Sequence, residues 1–129
     1  MAKLIILGRL AGLNDLIEAE RTNKYIAAKM KRQDMDTVMW AAKRGLHNWR
    51  PQGRVFMHYR WYEKDKRRDM DNISSYGRKI IQDALVKGGW LRNDGWNHIA
   101  GFDDAFFVDS KRPRIEIDFE EVDKPKGET

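Results

Sequence analysis

The sequence predicts a single α/β domain with a mixed β-sheet and packed helices, on three observations. Hydrophobic periodicity runs along the chain in the order β-α-β-α-β-β. Two runs of clean period two, residues 55–63 and 115–120, stand apart from long stretches of helical period. The chain has 129 residues, 41% of them hydrophobic, which is one ordinary domain able to bury a core. No internal repeat and no linker divides it. The domain is expected over residues 1–123, with a disordered tail over residues 124–129.

Taken in order, Leu4-Ile5-Ile6-Leu7 reads as a short buried strand. The loop Ala11-Gly12-Leu13-Asn14 ends it, with Asn14 placed to cap a following helix. From residue 15 to about residue 43 the spacing is helical, through Leu16, Ile17, Ile26, Ala27, Met30, Val38, Met39 and Ala42. A break is expected at Thr22-Asn23 or between Asp34 and Asp36. Gly45, Pro51 and Gly53 mark a loop. In residues 55–63, Val55, Met57, Tyr59 and Trp61 share one face, with Phe56, His58, Arg60 and Tyr62 on the other. A polar run at residues 64–68 breaks this pattern. Helical period returns over residues 73–86, with Ile73, Tyr76, Ile80, Ala84 and Leu85 on one stripe. Lys87-Gly88-Gly89 stops that helix. Beyond the loop at 90–97 a hairpin is expected, with residues 105–108 as first arm and Ile115, Ile117 and Phe119 facing inward on the second.

Composition narrows the chemistry. There is no cysteine, which excludes thiolate metal sites and a cysteine nucleophile. The longest apolar run is far too short to span a bilayer, and Met1-Ala2-Lys3 is not followed by a signal-peptide pattern. A soluble cytoplasmic protein with no membrane partner is expected. The net charge of +5 is unevenly spread. Residues 20–54 hold nine Lys/Arg against three Asp/Glu, and residues 60–92 hold nine against five. Residues 94–129 reverse the sign, with ten acidic against five basic. A mixed solvated surface accounts for this; so does a basic face for a polyanion. His47, His58 and His98 have no metal-ligand spacing, and neither a Ser-His-Asp arrangement nor a Gly-rich phosphate loop is present.

The carboxylates carry more. Asp69-Met70-Asp71-Asn72 lies where the polar run enters the third helical stretch. In an extended segment Asp69 and Asp71 would point to one side and share a hard cation such as Mg²⁺. As a helix cap with an acidic first turn, the same residues would contribute only about 1 kcal/mol of stability. The chain contains its own control, Asp34-Met35-Asp36, the same tripeptide within helical periodicity. There the carboxylates stand about 200° apart, and Asp36 reads as a cap for the residues that follow.

The surroundings of the second copy distinguish it. Arg67-Arg68-Asp69-Met70-Asp71-Asn72, then Lys79-Ile80-Ile81-Gln82-Asp83-Ala84-Leu85, then Gly89-Trp90-Leu91-Arg92-Asn93-Asp94 resembles the core signature of the RusA-type Holliday junction resolvases. Residues 106–117 look like the closing hairpin of members from Gram-positive bacteria and their phages. The resemblance is concentrated in residues 67–117 and thin over residues 1–60. It implies a RusA-like fold and a Mg²⁺-dependent endonuclease, with Mn²⁺ as a possible substitute, acting on branched DNA as a homodimer. By the same resemblance Asp69, Asp71 and Asp94 are catalytic metal ligands, and Lys79 is a catalytic lysine. Asp71 and Lys79 are about one helical turn further apart than in the family's founding member. A non-helical lead-in at residues 73–75 is expected to bring Lys79 back to the site; an ion pair with Asp83 is its alternative role. Asp83 itself reads as structural. Lys64, Lys66, Arg67 and Arg68 are expected to hold phosphates beside the scissile bond. The rivals are a branched-DNA-binding module that does not cut, a less selective flap or fork nuclease, and a structural phage protein.

Overall fold

The computed structural model describes residues 2–123, so the expected tail at 124–129 lies outside the described residues. Strand β1 (Ala2–Leu7) precedes two helices, α1 (Leu13–Thr22) and α2 (Lys24–Gly45). The expected break falls at Asn23, whose side chain accepts the Tyr25 N–H at 2.7 Å and caps α2. Two expected caps are not used. Gly12 caps α1, with its N–H donated to Asp15 at 2.8 Å, and Asn14 sits inside the first turn. Asp36 lies within an unbroken α2 and caps nothing, because the helix has already been started at Asn23.

Strand β2 (Val55–Glu63) matches the sequence reading, with every second residue buried. Helix α3 (Met70–Lys87) begins before the periodicity that announced it. Its first turn, Met70-Asp71-Asn72, is mostly polar, so no apolar stripe marks it. The expected non-helical lead-in is absent. Asp69 caps the helix by accepting the Asn72 N–H at 2.8 Å, and the Ser74 and Ser75 hydroxyls donate to the carbonyls of Met70 and Asp71 at 3.0 and 2.7 Å. The chain therefore enters the helix directly. Gly89, in the left-handed region at φ +84°, ends it as expected.

Strands β3 (Ile99–Val108) and β4 (Arg114–Glu121) complete a four-stranded mixed sheet in the order β1-β4-β2-β3. The expected hairpin does not form. β3 runs parallel to β2, while β4 inserts between β1 and β2, antiparallel to both. Burial explains the choice. Ile115, Ile117 and Phe119 stand opposite Trp61, Tyr59 and Met57, giving β4 a fully apolar inner face suited to a central position. β3 presents Phe102, Asp104 and Phe106 on that side and takes the edge.

The inner face of the sheet and the three helices share one hydrophobic core. α3 rides close over it at Gly77, where a Cβ would stand 2.7 Å from the Trp61 ring. The other sheet face carries cross-strand ion pairs, among them Lys3–Glu116 at 3.0 Å. Among the described residues, no helix is long and apolar enough to cross a membrane.

Candidate functional site

The end of β2, residues 64–69 and α3 together carry most of the candidate residues. Glu63 is buried at the strand end, and the Arg68 guanidinium grips its carboxylate with two hydrogen bonds of 3.1 and 3.0 Å. Arg68 also donates to the Leu10 carbonyl at 3.1 Å. Its expected role at a DNA phosphate is therefore corrected: it is turned inward and fixes the loop against β2. Lys64, Lys66 and Arg67 remain exposed.

Asn72, the last residue of the Asp-Met-Asp-Asn motif, is buried, and its side-chain oxygen accepts the Asn14 N–H at 2.8 Å. It pins the start of α1 to the start of α3. Asp69 and Asp71 are both exposed at the N-terminal end of α3, Asp69 as cap and Asp71 in the first turn. Placing negative charge there is favourable by about 0.3–1 kcal/mol. Asp69 also borders an open cleft of about 420 Å³, whose lining includes Glu63, Asp65, Lys66, Arg68, Phe106 and Phe107.

The exposed edge of α3 continues through Ser75 and Lys79 to Asp83, each one helical turn beyond the last. Lys79 donates to Asp83 at 3.0 Å and also lies 3.4 Å from Asp94, in the loop after the helix. The Asp83 hydrogen bond is the main reason its ammonium is held above the ordinary lysine range. Two signature residues from separate segments thus meet without the lead-in the sequence suggested.

The three aspartates do not converge. Eight residues of continuous helix separate Asp71 from Lys79, a rise of about 12 Å, and Asp94 meets the helix at Lys79. Among the described residues, no three His, Cys, Asp or Glu side chains stand together as a metal site. A three-carboxylate Mg²⁺ cradle therefore does not fit this conformation. The same-side argument for Asp69 and Asp71 also fails in its premise, because Asp71 is helical rather than extended. Asp69 and Asp71 remain as separate exposed carboxylates at the start of α3, and Mg²⁺ can be held by one or two carboxylates with water and substrate phosphate completing its shell.

The control tripeptide behaves as the helical geometry required. Asp34 turns inward to accept the Tyr76 hydroxyl at 2.8 Å and the Ala11 N–H at 3.3 Å, while Asp36 faces solvent. Burial raises the Asp34 pKa above its ordinary value against these hydrogen bonds.

Two features escaped the sequence reading. His58 is held between Glu120 at 2.9 Å and Asp103 at 3.0 Å on the outer sheet face. The Glu120 hydrogen bond leads in raising its pKa. Secondly, Arg50, Arg92 and His98 share a cleft assembled from three separate segments. No local motif marks either, because sheet pairing and loop packing bring the parts together. Compared with known proteins, the chain matches no family model and no curated protein.

Proposed function

We propose that this chain is a structure-selective DNA endonuclease of the RusA kind, hydrolysing phosphodiester bonds at four-way junctions with Mg²⁺. The observation that carries the reading is the meeting of Lys79 and Asp94, which joins the helix and loop parts of the signature on the edge that begins at Asp71. Asp69 and Asp71 are the exposed carboxylates that would hold the ion. A Mg²⁺ ion there would supply Lewis-acid polarisation and help make water nucleophilic.

The chain's own residues do the rest. Lys64, Lys66 and Arg67 project from the loop before α3 and attract the phosphate backbone without reading bases. Arg68 holds that loop to Glu63, which keeps the three cations beside Asp69. Lys79 would offer a positive charge to the phosphoryl group as negative charge builds there, its exposed ammonium leaving Asp83 and Asp94 to swing toward the start of the helix. Two cuts across a nearly two-fold junction suit a C2 homodimer.

The separation of Asp94 from Asp71 favours a second reading, a branched-DNA-binding module without cleavage. One assay distinguishes them. The protein is incubated with a synthetic four-way junction, a flap and linear duplex, in Mg²⁺ or in EDTA. Paired cuts in the junction, only with Mg²⁺, support the endonuclease. Junction binding with no cleavage in either condition supports the module.

A further inference from the structure

We infer that the cleft between residues 50–53, residues 89–92 and Asn97-His98 takes the phosphodiester of an unpaired nucleotide, with Trp96 stacking on its base. The cleft has a volume of about 670 Å³, and its lining includes Arg50, Arg92 and His98 but no carboxylate. Arg54, Arg60, Arg68, Arg78 and Arg114 all have acidic partners, whereas Arg50 and Arg92 make no ion pair among the described residues. Arg50 is nevertheless fixed. Its guanidinium lies 5.4 Å from the centre of the Trp90 ring and donates to the Trp49 carbonyl at 2.7 Å. The Glu121 carboxylate accepts the N–H of Gln52, in the cleft wall, at 2.7 Å and pairs with neither arginine. A held guanidinium without an ion-pair partner, beside a second one and an imidazole, is a site for a phosphate oxygen.

The same loop supplies the aromatic group. Residues 95–99 form a tight turn, in which the N–H groups of His98 and Ile99 both donate to the Gly95 carbonyl at 3.0 Å. Trp96 is in this turn and is 92% exposed, the barest of the exposed large hydrophobic side chains. An indole left in water one residue before the cleft wall at Asn97 suits base stacking, which tolerates any sequence. Asp94, the partner of Lys79, stands two residues before Trp96. The loop thus leads from its contact with the α3 edge at Asp94 to the cleft wall at Asn97-His98. Unpaired bases occur where a branched substrate opens and are absent from intact duplex. The assignment rests on the α3 edge being a DNA-processing site.

The test measures binding in EDTA, where no cutting can occur. Anisotropy of labelled oligodeoxythymidylate and of linear duplex is followed for the wild type, Arg92→Gln and Trp96→Ala, across a salt series. Both side chains are exposed, so folding should be retained, which circular dichroism checks. Arg92→Gln should flatten the salt dependence for the single strand by somewhat under one unit of log–log slope, roughly 0.7. Trp96→Ala should weaken single-strand binding about tenfold and leave duplex binding nearly unchanged. An unaltered slope, or equal loss on both DNA forms, overturns the assignment. Inorganic phosphate that quenches tryptophan fluorescence while the oligonucleotide does not bind also overturns it, in favour of a small-anion site. The two readings fail separately. A wild type that cuts junctions while both variants bind normally refutes the cleft. A wild type that never cuts, with both variants impaired, refutes the endonuclease and leaves the cleft standing.

Discussion

Replacing Lys79 by alanine separates the two roles its position allows. The ammonium lies 3.0 Å from Asp83 and 3.4 Å from Asp94, but its side chain is 65% exposed. Solvent screening limits each such pair to a few tenths of a kcal/mol. Losing both should cost less than about 1 kcal/mol of stability. A preorganised charge acting on a phosphoryl transition state is a larger effect, about 2.7–4 kcal/mol, or 10²–10³ in rate. The variant should therefore melt within a few degrees of the wild type and cut junctions at least about 10²-fold more slowly. Single-turnover cleavage with protein in excess isolates the chemical step, and anisotropy in EDTA reports junction affinity, expected to change little. Lys79→Arg keeps the charge and should restore part of the rate. Normal cutting with earlier melting would refute the reasoning and leave Lys79 as a surface ion pair.

Four further outcomes are expected. Asp71→Asn should abolish cleavage while junction binding stays equal or tightens, and Asp36→Asn, on the exposed face of α2, should cut normally; gel assays of both compare the two Asp-Met-Asp copies directly. Arg67→Ala should reduce the log–log salt slope of duplex binding by about one. Arg68→Ala should instead lower stability by about 3 kcal/mol in urea denaturation, because it strips buried Glu63 of its two hydrogen bonds. Glu116 should dominate part of the acid limb of stability. Burial works to raise its pKa, but hydrogen bonds from Arg114 and Lys3 outweigh it and hold the group at about 2. A depressed carboxyl stabilises the fold fully above its ordinary value of 4.5 and loses that contribution as pH falls toward about 2. Denaturation across that window should be less pH-dependent in Glu116→Gln, and an identical dependence would contradict the assignment.

Local periodicity determined a good deal here. The alternation of Val55, Met57, Tyr59 and Trp61 set β2 and its buried face, and the stripe from Ile73 to Leu85 set the body of α3. Both follow from side chains meeting the same core at a fixed repeat, which sequence alone records. The split at Asn23 was one of two places the sequence offered, and the side-chain cap on the Tyr25 N–H decides for it over Asp34 to Asp36. Tertiary structure decided the partners. Sequence adjacency suggested that β3 and β4 pair, yet the apolar inner face of β4 was best buried between β1 and β2, and strand choice is a global contest over burial. The inward turn of Arg68 needed Glu63 and Leu10 in place, while its neighbour Arg67 reads identically as sequence. Likewise the charge on Lys79 and the carboxylate of Asp94 are visible as letters, but their contact depends on how the loop after α3 folds back along the helix. Such contacts join residues distant in the chain, and a one-dimensional repeat carries no information about which distant group will arrive.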